Sequence, residues 1–311
     1  MIIDELYIDE QKYYDIKNIC SYINIFHSKN CSNKDINNFR NLCLSLQREP
    51  LLNGNFFLPK YDGAYWFEQE DYFRSKGNKY LENKKIEDYL CLLVAIAEND
   101  EHNSGFIMNC FKSSRLEILL YYIAKRLNPM KDIPKILTVE NIYKTIDEYL
   151  KLINEIKNEN FDSSLEFIKY LKNGKVGMGP YPFVSFFEAA NCIMTDLVIL
   201  NGVKMLLEGY IPEISFKEYH VNYGNKEDQK FDIIVKSNLG THLIGESFHV
   251  SKSLFKSKKR KSLMKLRQNQ NLVNMSSIEL KSILIYNKEA VNNGYIPKLN
   301  KNEYFLEVEL N

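Results

Sequence analysis

Apolar residues recur at helical spacing through the first half of the chain. Ile16, Ile19, Cys20, Ile23 and Phe26 form one stripe over 9–29. Ile36, Phe39, Leu42 and Leu46 form another over 35–48. The same spacing predicts helices over 84–98, 113–127 and 139–158. Pro129 and Pro134 punctuate the chain before the last of these, with Thr138 as its expected N-cap. Ile142, Ile146, Tyr149, Leu150 and Ile153 are its expected buried stripe. Ser163-Ser164-Leu165-Glu166 reads as a capping box that opens a short helix to about residue 172. Between 51 and 75 the pattern is irregular and aromatic, which predicts a loop with a short hairpin at 55–58 and 64–67.

Composition shifts at 173–182, NGKVGMGPYP, where three glycines and two prolines mark a boundary. Its Gly174–Pro180 stretch contains no Gly-Lys-Ser/Thr, so it reads as a linker rather than a phosphate cradle. A long apolar helix is expected over 182–208, and the period then changes to alternation. Strands are predicted at 213–222, 230–236 and 241–250, with Ser237-Asn238-Leu239-Gly240 turning between the last two. A helix over 253–272 and strands at 280–286 and 303–310 complete the order. The expectation is a mainly α-helical region over 1–172, acting in recognition or interaction, and an α/β (α+β) domain over 173–311 with a mixed sheet flanked by helices.

A net charge of +1 over 311 residues excludes a globally basic protein, so any polyanion must be met by local clustering. The six cysteines include no C-x-x-C pair and read as reduced, mostly buried thiols. The first residues, MIIDELYIDEQKYYD, lack the basic and apolar regions of a signal peptide. The apolar run inside 183–207 is broken by Glu188, Asn191, Asp196 and Lys204 and reads as too polar to span a bilayer. A cytoplasmic location without membrane contact is the expectation.

Chemistry concentrates in 229–267. Asp232 and Glu246 sit on the two strand-like runs of the hairpin, each among apolar neighbours where an unpaired charge is costly. Two carboxylates on rigid adjacent strands can hold a divalent cation, which neutralises phosphate charge and lowers the pKa of an attacking water. Glu188, amid FVSFFEAANCIM, is a third candidate acid, with Asp196 as a less favoured competitor. The helix after the hairpin carries Lys252, Lys256, Lys258, Lys259, Arg260, Lys261, Lys265 and Arg267, with Leu254, Phe255, Leu263 and Leu266 on its apolar side. No Asp or Glu lies between 247 and 278 to compensate, so an anionic partner is expected.

A helix with an inward Glu, a strand, a hairpin bearing Asp and Glu, then a helix resembles the PD-(D/E)xK, restriction-endonuclease-like nuclease superfamily over about 181–286. The resemblance implies a mixed sheet flanked by helices that cleaves double-stranded DNA with Mg²⁺, with Mn²⁺ as an alternative. Asp232 matches the motif's Asp, Glu246 its second acid, and Glu188 the acid carried by the first core helix. Phe231 stands at the Pro position and Phe248 at that of the Lys which stabilises the transition state. Some members supply that lysine from the following helix, which makes Lys256 or Lys259 the expected catalytic amine, with Lys236 as another candidate. Lys252, Lys258, Arg260, Lys261, Lys265 and Arg267 are then expected to contact DNA. A restriction or anti-phage endonuclease is what the resemblance implies, and a homodimer or a defence-system partner protein is a further expectation. The alternative is a nuclease-fold protein that binds nucleic acid or serves as a scaffold without cutting.

Overall fold

The computed structural model describes residues 2–3, 6–8, 10–27, 31–48, 58, 61–127, 130–156, 163–224, 231–237, 240–273 and 280–310. In chain order the elements are β1 (Ile2–Ile3), β2 (Leu6–Tyr7), α1 (Glu10–His27), α2 (Asn33–Arg48), α3 (Gly63–Lys76), α4 (Asn78–Leu81) and α5 (Ile86–His102). Next come α6 (Phe106–Lys112), α7 (Arg115–Leu127), β3 (Ile136–Thr138), α8 (Ile142–Asn154), α9 (Ser164–Asn173) and α10 (Phe186–Leu207). The chain continues through β4 (Glu218–Val221), β5 (Ile233–Ser237), β6 (Gly240–Phe248), α11 (Lys252–Val273), β7 (Lys281–Asn287) and β8 (Glu303–Val308). The architecture is mixed α and β, as expected.

The chain forms two compact units that interleave in sequence. One comprises Met1–Pro129 with Glu155–Phe186; the other comprises Met130–Asn154 with Phe187–Asn311. This departs from the expected division at 172/173. Strand β3 pairs antiparallel with β4, Ile136 opposite His220, so β3 and α8 belong with the sheet. The Gly/Pro segment expected to be a linker is packed instead. Gly177 lies against α1 so closely that a Cβ there would meet Ser21 Cα at 2.8 Å.

In the first unit α5 is buried from Tyr89 through Ala97, the mark of a helix at the centre of a bundle. Helices α2, α3 and α7 pack against it. Two of the unit's buried acids are paired: Asp100 with Arg40 at 3.3 Å, its other oxygen accepting from Ile107 N at 3.0 Å, and Glu70 with Arg115. The hairpin strand expected at 64–67 is the first turn of α3, opened by Asp62, whose carboxylate accepts from Tyr65 N. Of the other strand, 55–57 lie outside the described residues. The six cysteines are free thiols, and burial pushes Cys20 and Cys110 up to about 12.

The second unit is built on a six-stranded sheet in the order β3-β4-β5-β6-β7-β8. The pairs β3–β4, β4–β5 and β5–β6 are antiparallel; β6, β7 and β8 are mutually parallel. Helix α11 makes the crossover from β6 to β7. On its side of the sheet Phe255 and Leu263 pack with Phe248, Leu284 and Tyr286. Alternation sends Gly245, Ile283 and Ile285 to the opposite face. There Gly202 of α10 approaches so closely that a Cβ would meet Ile285 at 2.7 Å. By length and composition α10 could cross a membrane, contrary to the expectation from its four polar residues. Half of its most apolar stretch is buried in the protein. Thr138 ends β3 rather than capping α8; its N–H donates to Asn141 Oδ1 just ahead of that helix. Leu150, expected in the buried stripe of α8, is exposed.

Candidate functional site

The hairpin β5–β6 positions the two carboxylates. Ile233 pairs with Gly245 and Ile234 with Ile244, a register that puts Asp232 directly across from Glu246. Directly opposed side chains share a face, with Cβ atoms about 5 Å apart. Asp232 N donates to Gly245 O at 3.0 Å, and Ser247 N donates to Asp232 Oδ2 at 2.6 Å. These bonds fix the Asp232 carboxylate against the β6 backbone. Glu246 follows Ile244 and precedes Phe248 on the face covered by α11.

Electrostatics follow from that placement. Burial raises the Asp232 pKa, opposed by the Ser247 N–H and by the Lys265 and Lys258 ammonium groups. Burial first, and the Asp232 charge second, push Glu246 up to about 7, against the pull of Lys265 and Lys258. Lys265 Nζ lies 2.7 Å from Glu246 Oε1, an ion pair off the hydrogen-bonding directions of that buried oxygen. The Phe231 ring centroid is 5.7 Å from the same ammonium.

The other expected participants lie elsewhere. Phe248 is buried against Phe255 and Tyr286, so the motif's lysine position is hydrophobic core. Lys259 donates to Tyr295 OH at 2.7 Å and stands over the Phe255 and Tyr295 rings; Lys256 is exposed. Neither of these expected amines is the one beside the carboxylates. Lys236 is exposed past a register shift after Val235. Glu188 is exposed in the first turn of α10. The acid this helix buries is Asp196, held by Tyr149 OH at 2.7 Å and Gly224 N at 3.0 Å, which makes it a structural anchor.

The sequence placed Lys265 only in the DNA-contact set. Helical phase was the missed signal. Lys258 and Lys265 are seven apart and so share a face of α11, with buried Ser262 between them. Arg267, also expected to contact DNA, is taken by Glu303 in a two-pronged pair at 2.6 and 2.8 Å. Lys252, Lys256, Lys258, Arg260 and Lys261 are exposed, and no carboxylate among the described residues pairs with them. The basic face is therefore its N-terminal half.

Among the described residues no three His, Cys, Asp or Glu side chains come together to hold a metal. Two do. Hard cations commonly use one or two carboxylates and complete their shell with water and phosphate oxygens. Asp232 and Glu246, with the buried Oε1 lacking an aligned hydrogen bond, fit that minimal set. No protein-family model matches the sequence, and neither the curated proteins nor the solved structures provide a match.

Proposed function

We propose that the second unit is a metal-dependent nuclease that hydrolyses DNA phosphodiester bonds, with a restriction-endonuclease-like fold. One observation carries the reading: Asp232, just ahead of β5, and Glu246 on β6 face each other beneath a basic helix, with the Lys265 ammonium 2.7 Å from Glu246. The order α10, β4, β5, β6, α11, β7 and the mixed sheet support it. In this reading Asp232 and Glu246 hold Mg²⁺, or Mn²⁺, which supplies charge neutralisation at the phosphate and an activated water. Ser247 N keeps the Asp232 carboxylate oriented. Lys265 and Lys258 bring positive charge to the same face, where it stabilises the charge developing on the phosphoryl oxygens. Lys252, Lys256, Arg260 and Lys261 are an exposed cationic face for the duplex backbone. A restriction or anti-phage role comes with the family resemblance.

A second reading is favoured by Phe248. With the strand's lysine position given over to an aromatic cluster, the unit would bind nucleic acid without cutting it. Incubation of plasmid DNA with the protein, in Mg²⁺, Mn²⁺ or EDTA, separates the two. Metal-dependent cutting that falls by at least about 10²-fold in Asp232→Ala and Glu246→Ala is the expected result. Salt-sensitive binding with no cutting in either metal establishes the second reading.

A further inference from the structure

The carboxylate pair carries a cation of its own, tied to α11. Lys265 Nζ reaches Glu246 Oε1 at 2.7 Å. The two ends of that contact differ in freedom. The Glu246 side chain is 11% exposed and the Lys265 side chain 42%. The carboxylate is fixed within the sheet, whereas the amine arrives along a flexible four-carbon stem from the solvent side. Its nearest aromatic face, Phe231 at 5.7 Å, offers a second resting place close by. The helix itself is held two residues further on by Arg267 and Glu303, so the side chain can move while its backbone stays.

A divalent ion on Glu246 Oε1 would stand within a few ångströms of the Lys265 ammonium. Like charges a few ångströms apart repel strongly wherever bulk water is excluded. We propose that Lys265 is a tethered competitor for the metal. It neutralises Glu246 while no ion is bound, leaves that oxygen when an ion enters, and is then free to meet a phosphate oxygen of the substrate. This rests on the reading of Asp232 and Glu246 as metal ligands. A purely structural ion pair would keep the ammonium on Glu246 whether or not metal is present.

Titration calorimetry with Mn²⁺ on the full chain at low salt tests the competition. Lys265→Met is expected to bind Mn²⁺ about tenfold more tightly than the wild type. Lys265→Arg, which keeps the charge, is expected to stay near the wild-type affinity. A second measurement needs no variant. In limited acylation read by mass spectrometry, Lys265 should label faster when Mn²⁺ is added, while exposed Lys252 on the same helix keeps its rate. Equal affinities in wild type and Lys265→Met, or a Lys265 labelling rate that metal leaves unchanged, overturns the competitor role and leaves the carboxylate site standing. Absence of Mn²⁺ binding to both proteins overturns the site and the competitor together. If Lys265→Met does not fold, the wild-type labelling decides.

Discussion

Two buried glutamates of one sheet titrate in opposite directions. Glu246 is pushed up to about 7 by burial and by Asp232. Glu303 is pulled below its ordinary value of 4.5 by the Arg267 guanidinium, which burial only partly opposes. The folded protein thus holds the Glu246 proton more tightly than the unfolded chain does. That contribution to stability is complete below about 4.5 and is lost as pH rises through about 7. For Glu303 the contribution is present above its unfolded value and is lost as pH falls through the depressed one. Glu246→Gln should therefore stabilise the protein at pH 8 relative to pH 5, by on the order of 1–3 kcal/mol. Arg267→Met should cost about 1–2 kcal/mol at pH 7, discounted for the exposure of Arg267, and less at pH 3. Denaturant melts at these pH values check both signs. Asp232 and Glu246 were legible as a facing pair because carboxyls among apolar strand residues need a compensating partner. Their cation was not, because closeness in sequence to Glu246 pointed to Lys256 and Lys259, while helical phase carries Lys265 there.

Among the elements, the long helices and the inner strands were legible wherever the apolar period was clean. Helix α3 was not. Its sequence, GAYWFEQEDYF, spreads aromatics around the axis, and only Trp66, Glu70 and Phe73 are buried. The Asp62 cap was its one clear local signal. Strand β3 has three residues, too few for a period, and its partner β4 begins eighty residues later. Apolarity all round α10 hid which acid it buries; packing, not pattern, selects Asp196 over Glu188. The same helix supplies a prediction. Gly202 permits its close approach to Ile285, so Gly202→Ala must displace the helix or the side chain. A loss of about 1–3 kcal/mol is expected, measured by chemical denaturation.

At the scale of the molecule, the interleaved units could not be read from composition. Glycine and proline at 173–182 marked a change of pattern, but Gly177 is there to let the chain press against α1 rather than to loosen it. The pairing of β3 with β4, which carries 130–154 into the second unit, is a long-range contact without local trace. The sheet itself has two halves of different character, an antiparallel one from β3 to β6 and a parallel one from β6 to β8. Helix α11 spans the parallel half and fastens at both of its outer strands, by Lys265 to Glu246 on β6 and by Arg267 to Glu303 on β8. It behaves as a strap with a clasp at each side. The Arg267–Glu303 clasp and the apolar packing hold α11 over all three strands, so their amides should exchange with deuterium as one cooperative block. The three-residue edge strand β3, outside the strap, should exchange sooner.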